Sequence, residues 1–213
     1  FSGKAIILLG ARQVGKTTLL KQIIQERSEE VQYLNCDEPQ VVEALSNRNL
    51  RELQLLIGRA KFIVIDEAQK VNNIGLTLKL IVDNIPDVQI VATGSSAFEL
   101  RNRLNEPLTG RKFEYQMFPL STNEIYQSTG YLETKRLLET RLIYGSYPDV
   151  LSNISNAQSL LLTLSDSYLY KDILTIETMR KPEVLNKLLQ ALAFQVGLEV
   201  SYNELAQTVG TDS

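Results

Sequence analysis

The segment from Gly10 to Thr17 has the residue types and spacing needed to bind phosphate. It reads GARQVGKT and matches the pattern GxxxxGK[ST] in full. Gly10 and Gly15 allow the backbone to curl so that its N–H groups face inward on phosphate oxygens. In such a loop, Lys16 is expected to bridge the β- and γ-phosphates of a nucleotide, and Thr17 to ligate Mg²⁺. The segment therefore predicts a site for ATP and Mg²⁺.

Neighbouring residues are predicted to line the same site. The predicted nucleotide-binding set is Gly10, Ala11, Arg12, Gln13, Val14, Gly15, Lys16, Thr17 and Thr18. Arg12 and Gln13 lie at the tip of the loop, where they could contact phosphate or a neighbouring subunit. A solvated loop tip is the favoured interpretation of these two side chains, because loops run over the surface.

Two adjacent carboxylates follow the apolar run FIVI. Asp66 and Glu67 come at the carboxyl end of this predicted strand, and ligands of parallel sheets bind at that edge. We expect Asp66 to hold Mg²⁺ through water and Glu67 to polarise an attacking water. The alternative, an acidic cap on the next helix, is disfavoured by the phosphate loop upstream. The chain has no NKxD-like segment for reading guanine, which favours ATP hydrolysis over a GTPase reaction.

The composition excludes several other kinds of site. There is no histidine, which excludes a Ser-His-Asp triad, a Cys-His dyad and any His-ligated metal site. Cys36 is the single cysteine, so an internal disulfide is excluded and a cytoplasmic location is expected. No apolar run approaches the ~20 residues of a membrane helix, so no membrane contact is expected. Because the chain opens on Phe1 rather than Met, we interpret it as a piece of a longer protein.

Five segments are predicted to form strands. Continuous apolar runs bounded by glycine or turn residues are typical of strands that are buried on both faces. The predicted strands span residues 5–9, 31–35, 62–66, 89–94 and 111–117. Helical patterns separate them, and this alternation implies a parallel sheet. The predicted fold class is therefore α/β, with a parallel five-stranded P-loop NTPase sheet covered by helices on both faces.

After Pro119 the pattern becomes entirely helical. The predicted helices span residues 121–128, 132–144, 157–173, 183–196 and 202–209. The predicted domains are an ATPase domain in residues 1–118, a helical lid or linker in 119–181, and the start of a winged-helix-like unit in 182–213. Ser201 and Glu204 have the spacing of a capping box. A structural three-helix unit without a DNA-binding role is an equally weighted alternative for the last segment.

With these motifs placed, the sequence resembles the AAA-type ATPases of bacteria and archaea. The resembling segments are GARQVGKTTLL, FIVIDEAQ, IVATGSSAFEL, LTGR, FPLS, GSYPDV and SYLYKDIL. The first two are shared by very many ATPases, whereas the succession TGSSAFEL, LTGR and FPLS is more specific. It is similar to the group of P-loop ATPases that carry a C-terminal domain of unknown function. The resemblance spans residues 5–174.

The resemblance implies further catalytic residues. Ser95, at the end of the fourth strand, would be the sensor residue that hydrogen-bonds near the γ-phosphate, with Ser96 as the alternate. Arg111 would be the arginine that meets the γ-phosphate, either in its own chain or from a neighbouring subunit. Arg101 and Arg103 are rivals for that role. The catalytic set is therefore Glu67, Lys16, Ser95 and Arg111.

The leading functional hypothesis is the binding of Mg-ATP and its hydrolysis to ADP and phosphate, which drives a conformational change in the attached helical domains. Two alternatives stay open: a slow ATP-operated switch that recruits a protein partner, and a nucleic-acid-associated ATPase or regulator. A homo-oligomer is also left open. DNA binding is not expected of this chain, because its net charge is −3 and residues 201–213 contain no Lys or Arg to contact phosphates.

Overall fold

The computed structural model describes residues 3–94, 107–166 and 182–210. It divides the chain into two compact units, Phe1–Ser155 and Asn156–Ser213. The first unit therefore extends beyond the predicted ATPase domain and takes in the first helices after Pro119. The three-part division into residues 1–118, 119–181 and 182–213 stays a prediction.

A five-stranded parallel sheet forms the centre of the first unit, and its strand order is β2-β3-β4-β1-β5. The strands are β1 (Ala5–Gly10), β2 (Val31–Asn35), β3 (Phe62–Asp66), β4 (Gln89–Gly94) and β5 (Lys112–Met117). All four neighbouring pairs are parallel, which confirms the predicted sheet. We call the edge at which all five strands end the carboxyl edge, and the opposite one the amino edge.

Helices cover both faces of the sheet, as predicted. The helices between the strands are α1 (Lys16–Gln25), α2 (Pro39–Leu45), α3 (Leu50–Ile57) and α4 (Ile74–Asn84). Alternation along β3 sends Ile63 and Ile65 into a large core with buried residues of α3 and α4. Phe62 and Val64 point to the other face, where they join Leu20 of α1 in a smaller cluster. Every residue of β3 is buried, which explains why FIVID reads as one continuous apolar run.

Short helices complete the first unit after the sheet. They are α5 (Thr122–Thr129), α6 (Tyr131–Arg136), α7 (Leu138–Tyr144) and α8 (Pro148–Ser152). The single helix predicted over residues 132–144 is interrupted at Leu137, where ψ is −5°. The interruption is local, because the Leu137 N–H still donates to the Glu133 carbonyl and the Arg141 N–H donates to the Leu137 carbonyl.

In the second unit the described residues form helices joined by turns and irregular backbone. Its helices are α9 (Ala157–Leu164), α10 (Pro182–Phe194) and α11 (Tyr202–Val209), and α10 contacts α11. The Glu204 N–H donates to the Ser201 side chain over 3.5 Å, which is one half of the predicted capping box. The winged-helix assignment stays a prediction. Over the residues that the structure describes, no helix has the length and apolar character needed to cross a membrane.

Candidate nucleotide-binding site

The predicted phosphate loop lies at the carboxyl edge, between β1 and α1. Gly10 ends β1 where a Cβ atom would lie 2.5 Å from the Met117 carbonyl oxygen of β5, so the close approach of two strands requires glycine. Gly15 has φ 102° and lies immediately before α1. No side chain caps α1, so the first N–H groups of this helix face the loop and suit an anion.

Lys16 places its ammonium group inside the loop. The residue is only 5% exposed. Its Nζ donates hydrogen bonds to the carbonyl oxygens of Gly10 and Ala11, each over 2.8 Å. A buried ammonium needs such partners because burial disfavours an unpaired charge. The contacts hold the positive charge at the centre of the curled backbone, where phosphate oxygens would meet it.

The remaining loop residues differ in exposure. Val14 is buried at 2% exposure, and its Cγ2 would lie 3.2 Å from a Cβ atom at Gly10. Gln13 is exposed and has a left-handed backbone with φ 62°, whereas Arg12 is half-buried. Thr17 and Thr18 are exposed at the start of α1. The geometry thus places Gln13, rather than Arg12, at a solvated tip.

Asp66 collects three hydroxyl donors. It is 4% exposed at the end of β3. Thr17 Oγ1 donates to its Oδ2 over 3.0 Å, and Tyr33 Oη donates to the same oxygen over 2.5 Å. Thr93 Oγ1, at the end of β4, donates to Oδ1. The network joins the first turn of α1 to three adjacent strands. Its hydrogen bonds replace those to water that the carboxylate loses on burial.

Two titratable groups beside Asp66 are held in their neutral forms. Burial and the hydrogen bond to Asp66 raise the pKa of the Tyr33 phenol above its usual value. Burial, together with the charge of Asp66, raises the pKa of the Cys36 thiol to about 12. Cys36 is 1% exposed and belongs to the core.

Glu67 follows Asp66 on a left-handed backbone with φ 56°. Its N–H donates to Thr93 Oγ1 over 3.2 Å, so one hydroxyl contacts both acidic residues. Gln69 Nε2 donates to Glu67 Oε2 over 2.6 Å. The backbone turn directs the two neighbouring carboxylates differently: Asp66 faces Thr17, and Glu67 faces Gln69.

Comparison with protein families agrees with this geometry. A family of AAA domains matches residues 2–126. The chain belongs to this AAA domain family. A domain of unknown function matches residues 135–213, so the predicted resemblance is confirmed in both its parts.

Relatives of this AAA domain are found in bacteria and archaea. An uncharacterized protein of Haemophilus influenzae is 25% identical over 221 residues, which cover 97% of this chain and 55% of that protein. The uncharacterized protein MJ1637 of Methanocaldococcus jannaschii is 25% identical over 245 residues, which cover 96% of this chain and 51% of that protein. The chain thus spans about half the length of these curated relatives.

A solved structure shares the fold. The Walker-type ATPase PABY2304 of Pyrococcus abyssi superposes with a TM-score of 0.54 at 17% identity, covering 97% of this chain and 83% of that one. At this identity the similarity concerns the fold, a P-loop ATPase sheet followed by helices. The family and the fold together support nucleotide binding and an ATPase activity in general terms.

The donor atoms of this AAA domain fit Mg²⁺ bound with a nucleotide. The Thr17 hydroxyl and the Asp66 carboxylate lie 3.0 Å apart and are oxygen donors, which Mg²⁺ prefers. Over residues 3–94, 107–166 and 182–210, no cluster of three or more His, Cys, Asp or Glu side chains could hold a metal. Mg²⁺ commonly uses one or two protein carboxylates together with substrate phosphates, and the Thr17–Asp66 pair suits that arrangement.

Arg111 is not brought to the loop within its own chain. It immediately precedes β5 at the amino edge, where its carbonyl accepts a hydrogen bond from the Ala5 N–H. The six residues of β5 separate that edge from the loop by about 17 Å. Arg111 Nε also donates to Asp83 Oδ1 over 2.6 Å. Arg111 therefore cannot meet the γ-phosphate bound in its own chain, because the direction of β5 places it at the opposite edge of the sheet. Its role toward a neighbouring subunit stays a prediction.

Other predicted residues cannot be placed. Ser95 and its alternate Ser96 lie outside the described residues, as do Arg101 and Arg103. Their predicted roles as sensor residue and rival arginines stay predictions.

Three residues near the two carboxylates were missed in the sequence. Thr93 is a hydroxyl residue at the end of a predicted buried strand, so its position gave a usable signal. Gln69 is a polar residue two positions after Glu67, and this spacing was visible in the sequence. Tyr33 gave no signal, because its contact with Asp66 depends on the pairing of β2 with β3 in space.

Proposed function

We propose that this AAA domain binds Mg-ATP at residues 10–18 and hydrolyses it to ADP and phosphate. The observation that carries the proposal is the contact of Thr17 Oγ1 with Asp66 Oδ2 at 3.0 Å, beside the loop that encloses Lys16. It unites two motifs that are far apart in sequence at a single edge of the sheet. A chance glycine-rich turn would not bring a hydroxyl from α1 to a buried carboxylate of β3.

In this proposal the chain binds the triphosphate with a fixed set of charges and dipoles. The N–H groups of the loop and of the first turn of α1 donate to phosphate oxygens. Lys16 exchanges its carbonyl partners in the loop for the β- and γ-phosphate oxygens. Thr17 and Asp66 would hold Mg²⁺, which when bound neutralises the charge that develops on the phosphates.

Glu67 is the proposed base. It lies beside Asp66 at the carboxyl edge, on a backbone turn that separates the two carboxylates. In the proposed step Glu67 orients a water and accepts its proton as the water oxygen attacks the γ-phosphorus. The bond from that phosphorus to the bridging oxygen breaks, and ADP leaves. A base in this role typically contributes ~10² to 10⁴ in rate.

The loop assignment is tested with Lys16→Ala. We expect a titration with a fluorescent ATP analogue and Mg²⁺ to show affinity weakened by at least about 100-fold, because the central positive charge of the site is lost. Lys21→Ala is the matched control, since Lys21 is an exposed lysine on the same helix. It should keep wild-type affinity. Equal affinities in all three proteins would show that the nucleotide does not bind at this loop.

We further propose that the nucleotide cycle changes the helices after Ser155. The support is the division of the chain into an ATPase unit and a helical unit. Hydrogen exchange of residues 157–166 and 182–210 should differ between ATP-bound Glu67→Gln protein and ADP-bound wild type. Identical exchange in the two states would contradict the conformational proposal and leave ATP hydrolysis intact.

A further inference from the structure

The turn after Glu67 brings a buried amide to its carboxylate. Gln69 lies in the 3₁₀ helix Ala68–Lys70 and is 7% exposed. Its Nε2 donates to Glu67 Oε2 over 2.6 Å. Two residues so close in sequence meet because the left-handed backbone of Glu67, with φ 56° and ψ 41°, folds the chain back on itself.

The turn that carries Gln69 is held on several sides. Ala68 and Val71 are both 0% exposed and belong to the larger core of the sheet. The Lys70 N–H donates to the Glu67 carbonyl over 3.1 Å, and the Val71 N–H donates to the Ala68 carbonyl over 3.1 Å. The Gln69 amide is therefore presented from a packed segment, so it can fix the orientation of a neighbouring side chain.

An amide is chemically suited to orient a base. It donates a directional hydrogen bond but carries no charge, and it does not ionise near neutral pH. The Glu67 backbone is already fixed by its N–H bond to Thr93 Oγ1. The amide adds a hydrogen bond to the side chain itself, which restrains its torsions and the plane of the carboxylate. Displacing a reacting group by about 1 Å can cost on the order of 10²-fold in rate.

We propose that Gln69 is a positioning residue that holds the Glu67 carboxylate in the orientation needed to receive the proton of the attacking water. The inference rests on the proposed ATPase function and adds a residue to it. In this proposal Gln69 acts through Glu67 and has no role in the binding of ATP.

The first test is Gln69→Met, which keeps similar volume and removes the donor. We expect kcat for phosphate release to fall about 10- to 100-fold, with KM for ATP and ATP affinity within about twofold of wild type. The same change in a Glu67→Gln background should have no further effect on kcat, because the group that Gln69 orients is already inactive. A general weakening of the fold would lower both backgrounds alike.

The second test is Gln69→Glu, which places a carboxylate against the carboxylate of Glu67. Neither ionised carboxylate can donate a hydrogen bond to the other, so the contact that orients Glu67 is lost and kcat should fall at least as far as in Gln69→Met. Wild-type kcat in Gln69→Glu would contradict the positioning role.

Lys70→Met is the control within the same turn. It removes the partly exposed ion pair between Lys70 and Asp37 but leaves Gln69 in place, so kcat should stay near wild type. Wild-type kcat in Gln69→Met, with Glu67→Gln inactive, would overturn this inference and leave the proposed function standing. Equal turnover in wild-type and Glu67→Gln proteins would overturn the proposed function and the positioning role together.

Discussion

Tyr33 Oη and Thr17 Oγ1 donate to the same oxygen of Asp66. They come from different sides, one from the edge strand β2 and the other from the first turn of α1. Thr17 is a predicted metal ligand, whereas Tyr33 only supports the carboxylate. Loss of the Tyr33 hydroxyl should therefore affect stability, whereas loss of the Thr17 hydroxyl should affect metal binding. Single substitutions can distinguish these two effects.

Tyr33→Phe should destabilise the protein without abolishing ATP binding. The loss of one hydrogen bond from the partly exposed Tyr33 to the buried Asp66 carboxylate should lower the free energy of unfolding by about 1 kcal/mol. Urea unfolding followed by circular dichroism measures this change. Tyr126→Phe, at an exposed tyrosine of α5, is the control and should leave the free energy unchanged.

The effect of Tyr33→Phe should also depend on pH. The pKa of the Tyr33 phenol is raised in the folded state, so its contribution is fully present below the unfolded pKa of about 10. Above that pH the unfolded state loses the phenol proton first, and the stability of the wild type falls relative to that of the Tyr33→Phe variant. The difference between the two proteins should therefore be constant from about pH 7 to 9 and shrink above about pH 10. A difference that grows in that alkaline range would contradict the assignment.

Residue types at motif spacing were sufficient to predict Lys16, Thr17, Asp66 and Glu67 as neighbours, because each lies at or after the end of a strand that ends at the carboxyl edge. The orientation of each side chain was not predictable. The left-handed turn at Glu67 directs its carboxylate toward Gln69, and nothing in the letters DEAQ specifies that backbone conformation. Hydrogen-bond partners depend on torsions that composition does not report.

At the scale of elements, β1 and β5 approach so closely at Gly10 that the two strands constrain the start of the loop. A Cβ atom there would lie 2.5 Å from the Met117 carbonyl oxygen, which belongs to backbone and cannot rotate away. The sequence suggested that Gly10 serves loop curvature. The structure adds that it serves strand packing, whereas Gly15 has the positive φ that favours glycine.

Gly10→Ala should therefore act on both the sheet and the loop. We expect the free energy of unfolding to fall by about 1–3 kcal/mol, as for other overpacked sites, and ATP affinity to weaken as the loop shifts. Urea unfolding and nucleotide titration measure the two effects. Ala11→Gly, which adds no atom beside Met117, should change the free energy by less than about 1 kcal/mol. An unfolding midpoint for Gly10→Ala equal to that of wild type would show that β5 can shift at Met117 to accommodate the added Cβ atom without loss of stability.

The strands were predicted to within one residue, and three of them, β1, β3 and β4, carry apolar or buried side chains in an unbroken run. The observed β1 extends one residue further than predicted, and β5 begins at Lys112 rather than Arg111. The interruption at Leu137 was not predictable, since an apolar periodicity continues through it. A residue with helical hydrogen bonds on both sides can leave ideal dihedrals without any change in sequence pattern.

At the scale of the whole molecule, strand direction separates two groups of predicted site residues. The phosphate loop and the acidic pair lie at the carboxyl edge, and Arg111 lies at the amino edge beside Asp83. The family resemblance assigned Arg111 to the γ-phosphate and did not reveal this separation. The separation follows from the parallel pairing of β1 with β5. The prediction that remains for Arg111 concerns a neighbouring subunit, whose loop could approach this edge in an assembly.

That prediction is tested by mixing two variants. If Arg111 completes a neighbour's site, Arg111→Ala should slow turnover by roughly 10³- to 10⁵-fold, the effect typical of an arginine finger. A mixture with inactive Glu67→Gln protein should regain activity, since an intact Glu67 in one subunit would then face an intact Arg111 from the other. Lys112→Ala, at the neighbouring position, is the control. Wild-type turnover by Arg111→Ala would show that this residue has no role in catalysis.

The measurement closest to the central claim is phosphate release by wild-type and Glu67→Gln proteins, combined with analysis of the nucleotide that each retains. With Mg²⁺ and ATP, the wild type should turn over, and Glu67→Gln should be slower by about 10² to 10⁴. The variant should nevertheless bind ATP as tightly as the wild type and retain it uncleaved. Equal phosphate release by the two proteins, or loss of ATP binding in Glu67→Gln, would contradict the assignment of Glu67 as the base of an ATPase.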